Sequence, residues 1–199
     1  FILPDPYLIK TVKHHPSLKF SKVSGFYNEL CKFEILSAYA LRLLILTATR
    51  TKEVIESQFD EFDLQKKMWT IPADKMKVRK KHKVPLSNEA ISIIELMRKK
   101  HNHEYVFTNP ATGRHISNGA MLIFLKKQFP HLKITIHGFR SSFRDWAEEI
   151  GQYQHNAIEF CLAHELPNKV EKAYLRSDLI DARKIIMNDW ENFLLNGKG

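Results

Sequence analysis

Apolar positions recur at helical spacing along most of the chain and switch to strand-like alternation in one stretch. From Ser21, placed to cap a helix, Val23, Phe26, Tyr27 and Leu30 share one face of a segment reaching residue 32. Residues 34–47 are apolar nearly all round (Ile35, Leu36, Tyr39, Ala40, Leu43, Leu44, Ile45), which predicts a core helix. A new helix starts at Thr51. The period then changes, and residues 59–64, 68–72 and 82–86 read as three short strands of an antiparallel sheet. Pro72 and Pro85 suit strand ends or edges.

Helical spacing returns from Asn88, through Ala90, Ile91, Ile94, Leu96 and Met97. Tyr105-Val106-Phe107 reads as a short extended piece, followed by turn residues Asn109, Pro110 and Gly113. Ser117 is placed to cap a helix reaching Gln128, and Thr135 one carrying Phe143, Trp146 and Ala147. Helices over 154–161 and 169–175 follow. The last, over 178–195, puts Leu179, Ala182, Ile186, Trp190 and Phe193 along one stripe, which serves either as the closing helix of its own core or as a docking face for a neighbouring copy. The expectation is a mainly α-helical α+β domain with a small three-stranded antiparallel sheet. Residues 1–20, with three prolines and no sustained period, read as a lead-in or interdomain linker to a domain over 21–199.

Composition narrows the partner. At 199 residues and 44% hydrophobic content the chain is long and apolar enough for a real core. Its net charge of +9 favours a polyanion. No apolar run reaches membrane-spanning length and no signal-peptide pattern is present, so a cytoplasmic location is expected. Cys31 and Cys161 lie in apolar helical surroundings and read as free buried thiols.

Between the second and third strands Lys75, Lys77, Arg79, Lys80 and Lys81 form a basic hairpin suited to DNA, and Lys83 at the start of the third strand adds to it. His137 and Arg140 stand three apart in a first helical turn, where cations oppose the helix dipole. That cost implies an anion supplied from outside. Arg50 emerges directly after the apolar helix, with Glu53 three residues on to orient it, and a guanidinium held this way suits a two-pronged phosphate contact. His101 and His103 do not read as a metal site, because no carboxylate cluster or metal-binding frame accompanies them.

Two arginines, two histidines, a hairpin lysine and a tyrosine suit phosphoryl transfer without a metal. Six stretches then carry a resemblance: Thr47 to Val54, Trp69 to Lys77, Val84 to Ser87, His137-Gly138-Phe139-Arg140, Leu162-Ala163-His164 and Ala173-Tyr174. In this order, with Tyr174 ten residues after His164, they resemble the catalytic domain of the tyrosine recombinases, most nearly the satellite-phage and genomic-island integrases. The resemblance runs from about residue 14 to 195. It departs at Ala48 and Ala163, where the family usually has glycine.

The resemblance implies the following. Arg50 and Arg140 bind the scissile phosphate, and Tyr174 attacks it. His137 and Lys77 move protons, with Lys77 the acid for the leaving 5′-oxygen and Lys75 its rival. His164 donates to a phosphate oxygen, and Glu53 braces the site. No cofactor or metal is implied. The partner is double-stranded DNA carrying attachment sites, bound by a homotetramer of the full-length protein with DNA-bending accessory proteins, while this fragment alone is a monomer. A type IB topoisomerase and a catalytically silent DNA-binding module are the alternatives.

Overall fold

The computed structural model describes residues 16–164 and 178–197. Helices α1 (Val23–Leu30), α2 (Leu36–Thr47) and α3 (Thr51–Ile55) lead into a sheet of β1 (Phe62–Asp63), β2 (Met68–Ile71) and β3 (His82–Pro85). Helices α4 (Asn88–Lys100), α5 (Ala120–Gln128), α6 (Gly138–Glu149), α7 (His155–Cys161) and α8 (Ile180–Asn196) complete the described fold. The sheet is antiparallel in the order β1-β2-β3, with Trp69 opposite Phe62 on one side and Val84 on the other.

Helix α2 is the hub. Its residues from Ala38 to Thr47 are buried except Arg42, which reaches Glu89 on α4. Around it pack α1, α4, α5, α6 and α8. The stripe on α8 folds back onto its own domain: Ile186, Met187, Trp190, Phe193 and Leu194 are buried. Trp190 donates its indole N–H to the Ile45 carbonyl at 2.8 Å, and Ser24 on α1 donates its hydroxyl to the Leu194 carbonyl at 2.9 Å. Trp190 also lies 4.9 Å from Trp146 and 5.5 Å from Phe143, ring centre to ring centre. Burial of each such ring contributes roughly 1.5–3 kcal/mol. Tyr27 and Tyr39 are core residues, and both cysteines are free thiols. Burial pushes the Cys161 thiol up to about 11.

Several element boundaries differ from expectation. Ser21 sits inside a 3-10 turn, Phe20–Lys22, and α1 begins after it at Val23. Helix α5 begins at Ala120, with the Ser117 carbonyl rather than its side chain receiving the Ala120 N–H at 3.0 Å. Phe59–Glu61 forms a 3-10 turn instead of the start of a strand, so β1 keeps two residues. The reason is Glu61, which turns inward to accept the Trp69 indole N–H at 2.8 Å and the Lys75 ammonium. A flat strand would aim that carboxylate at solvent on alternate positions. Residues 169–175, expected as a short helix, lie outside the described residues.

The segment at 16–18 crosses the start of α6. The Thr135 N–H donates to the Pro16 carbonyl at 3.0 Å, and the Ser142 hydroxyl to the Leu18 carbonyl. Gly138 makes this crossing possible, since a Cβ there would lie 2.3 Å from the Pro16 oxygen and 2.9 Å from the Ser17 Cα.

Candidate functional site

Arg50 is the N-cap of α3, immediately after the buried end of α2. Glu53, 3% exposed, accepts both the Arg50 backbone N–H at 2.7 Å and its guanidinium Nη1 at 2.8 Å. One carboxylate thus caps the helix and aims the arginine, whose side chain keeps 25% of its surface open. Below it, Thr47 and Thr49 exchange a 2.8 Å hydroxyl hydrogen bond that secures the turn.

Arg140, in the first turn of α6, is only 4% exposed. Its guanidinium donates to the Ala48 carbonyl, which follows the end of α2, and to the Leu162 carbonyl, which follows the end of α7, the latter at 2.6 Å. Helix C-termini carry orphan carbonyls and partial negative charge, so two of them form a natural seat for a buried cation. Both helices end in left-handed residues, Ala48 (φ 50°) and Ala163 (φ 50°). These are the two positions where the resembling family usually has glycine, and the backbone explains why: that conformation costs an L-residue roughly 1–2 kcal/mol. Burial and then the Arg50 charge lower Arg140 to about 10, which leaves it cationic at neutral pH.

His164 follows Ala163 and closes the cluster. Its Nδ1 is 2.8 Å from Glu159 Oε2, and its Nε2 is 3.3 Å from Arg140 Nη2. Burial lowers its pKa, opposed by Glu159 and reinforced by Arg140 and Arg50. At neutral pH the ring is therefore uncharged. Because a carboxylate only accepts, the proton sits on Nδ1 and the Nε2 lone pair faces Arg140.

The lysines separate cleanly. Lys75 is turned inward, donating to the Glu56 carbonyl at 2.8 Å, to Gln58 Oε1 at 3.0 Å and to Glu61. That ammonium holds the sheet to the start of α3's following loop and is spent there. Lys77 is exposed and lines a cleft of about 330 Å³ with Arg50, Glu53 and Arg79. Lys80, Lys81 and Lys83 line an adjacent cavity of about 310 Å³ that also contains His82, His164 and Arg183, and Met76 borders both. His137 is exposed as the N-cap of α6, in place of the expected Thr135, whose Oγ1 accepts the Gly138 N–H at 3.1 Å from two residues before the cap. Tyr174 lies outside the described residues. Tyr153 is committed elsewhere, donating its hydroxyl to Asp189 at 2.6 Å.

Three residues at this site escape a reading of the sequence. Glu159 meets His164 only because the left-handed Ala163 folds the chain back. His82, 9% exposed, is held down to about 3 by burial and by Arg183, Arg50 and Arg140. Arg183 on α8 is 2% exposed and donates to the Lys83 carbonyl. The His-containing alternation of β3 was the one available signal, since an inward histidine on a strand next to a basic loop is uncommon. His101, set aside as a metal ligand, has its Nε2 3.2 Å from the Val106 carbonyl. Glu148, His155 and Glu159 bring possible ligand atoms within 4.8 Å of one another. The Arg144 Nε already lies 3.1 Å from Glu148 and 3.3 Å from Glu159, so the cation at that cluster is a guanidinium.

Comparison with known proteins gives a consistent picture. The model of the Phage integrase family matches residues 16–179. The integrase of Enterobacteria phage P4 is 28% identical over 92% of this chain and 46% of its own length. Prophage integrase IntA of Escherichia coli K12 is 33% identical over 75% of this chain and 37% of its own. The chain thus spans less than half the length of these relatives. Among solved structures, the integrase from mycobacterium phage Brujita superposes with a TM-score of 0.65 at 14% identity, over 96% of this chain and 64% of that one. The Tn1549 transposon integrase in complex with circular intermediate DNA gives 0.63 at 14%, over 90% and 67%. Among the described residues, no helix is long and apolar enough to cross a membrane.

Proposed function

The chain belongs to the phage integrase family, and on that premise we propose that it is the catalytic part of a site-specific recombinase that cuts and rejoins double-stranded DNA to integrate or excise a prophage or genomic island. The observation that supports this most is the seat of Arg140. Two helix ends, distant in sequence, converge to hold one buried guanidinium against His164, with the charge of Arg50 close by. Such a preorganised cationic site costs no reorganisation when charge develops on a phosphate.

In the proposed reaction the Tyr174 oxygen attacks the scissile phosphorus, and the bond from phosphorus to the 5′-oxygen breaks. A 3′-phosphotyrosyl link forms, which retains the energy of the phosphodiester for rejoining. Arg50 and Arg140 neutralise the non-bridging oxygens. Lys77 gives its proton to the departing 5′-oxygen, a role open to it because Lys75 is occupied by Glu61. His137 accepts the proton that the Tyr174 hydroxyl loses as it attacks, and His164 contacts a phosphate oxygen. The arginines do the electrostatic work a metal ion does in other phosphoryl transfers, so the reaction as written uses none. Arg79, Lys80, Lys81 and Lys83 track the backbone of the duplex, and the whole protein acts as a tetramer on its attachment sites.

Nicked suicide duplexes, resolved on denaturing gels, test this. The wild-type protein should accumulate a covalent adduct. Tyr174→Phe should abolish it with DNA binding unchanged, and Arg140→Gln should slow its formation about 10²–10³-fold. An adduct at wild-type level in the Tyr174 variant removes the proposed nucleophile. Absence of any adduct identifies a silent binding module, and supercoil relaxation without site preference a topoisomerase.

A further inference from the structure

Glu159 and His164 are tied twice. The His164 backbone N–H donates to the Glu159 carbonyl at 3.0 Å, and the two side chains meet at 2.8 Å. The first bond is the closing link of the left-handed helix end, in which the residue after Ala163 returns over the one five positions earlier. The second follows from it, because the return path stacks the imidazole on the carboxylate. Glu159 is 9% exposed and its other oxygen lies 3.3 Å from Arg144 Nε.

This arrangement has a chemical consequence for the recombinase reading, on which it rests. With its proton on Nδ1, a neutral His164 turns a lone pair toward Arg140 and has nothing to donate to a phosphate oxygen there. To donate from Nε2 while Nδ1 stays bonded to Glu159, the ring must carry two protons. We infer that Glu159 is a positioning residue that locks His164 in the Nδ1–H form and makes it take up a second proton, on Nε2, when a DNA phosphate enters the site.

The surrounding charges set when that happens. Arg140 from α6 and Arg50 from the start of α3 oppose a further positive charge on His164. From β3 and its loop come Lys80, Lys81, Lys83 and the uncharged His82, and from the start of α8 Arg183 and Asp178, all lining the same cavity. Glu159 is the anion in contact with the ring. An arriving phosphate cancels the repulsion from the arginines and lysines, and Glu159 then favours the imidazolium without a competing penalty. Proton uptake is thereby linked to phosphate binding, which raises the pH at which the ring protonates.

The test uses nitrogen-15 NMR of the His164 ring in the protein, alone and with a short nicked DNA duplex, across a pH series. Wild type should show the Nδ1–H tautomer alone and a protonation midpoint that rises when duplex is added. In Glu159→Gln the midpoint with duplex should lie lower by about one pH unit or more. The pH profile of strand cleavage should move the same way, with the variant slow at neutral pH and recovering as pH is lowered, a recovery that a merely damaged fold does not show. An unchanged midpoint in the variant overturns the inference. If the variant does not fold, wild type alone decides: an Nε2–H tautomer, or no proton uptake with duplex, overturns it. The NMR readouts need no cleavage, so a protein that forms no adduct but titrates as stated defeats the recombinase reading and leaves the Glu159 assignment standing.

Discussion

Burial and three arginines hold His82 down to about 3, far below an unfolded histidine near 6.5. Below pH 6.5 the unfolded chain therefore binds a proton that the folded chain refuses, and stability falls as pH falls. The loss begins at 6.5 and is complete near 3. At 1.36 kcal/mol per pH unit it amounts to about 2 kcal/mol by pH 5 and roughly 5 kcal/mol at its limit. Urea unfolding between pH 7 and 4 should show this slope, and His82→Leu should flatten it, though from a lower starting stability. At this scale the sequence is readable where a side chain's neighbours are close in the chain. Arg50 and Glu53 are three apart and pair as expected. Glu159 pairs with His164 through a left-handed residue that sequence signals poorly, since alanine rather than glycine occupies it. Lys75 and Lys77 differ only in which way an irregular loop turns, and no periodicity carries that information.

Among the elements, the entry to α6 is the most constrained. Gly138 accepts the chain at 16–18 across its face, and the Thr135 N–H, the Ser142 hydroxyl and the Leu18 side chain complete the crossing. Gly138→Ala should displace this crossing and cost about 1–3 kcal/mol. Thermal melts should report the loss, and faster hydrogen exchange at the Thr135 amide should locate it. Helix α6 itself is legible from its apolar spacing, although its N-cap is His137 and not the expected Thr135, and α2, α4 and β2 are legible in the same way. What failed was narrower. The alternation at 59–64 looked like a strand because pattern alone does not reveal that Glu61 is needed indoors by Trp69 and Lys75.

For the whole molecule, α8 decides cohesion. It contacts α1, α2, α6, α7 and β3, and so covers the hub from the far end of the chain. Truncation after Asp189 removes Trp190, Phe193 and Leu194, each buried. Loss of a buried Trp alone costs about 3–5 kcal/mol, so the truncated protein should melt at least about 6 °C lower at roughly 2–4 °C per kcal/mol. An unchanged melting temperature would show that this helix is not needed to close the domain. The stripe that predicted α8 was plain in the sequence; its choice between packing at home and packing on a neighbour was not, because an apolar stripe names no partner.

The seat of Arg140 also sets an order in time. Its carbonyl partners are 92 and 22 residues away, on opposite sides of it in the chain. While a ribosome is still making this protein, α2 emerges first and waits with its end unoccupied, α6 then brings the arginine, and α7 supplies the second carbonyl. Only with α8 is the hub sealed, by a bond from Trp190 to a carbonyl 145 residues earlier. Contacts of such long span form late in folding. A nascent copy released before α7 is made therefore lacks one of the two carbonyls that seat Arg140, and one released before α8 lacks the bond that seals the hub.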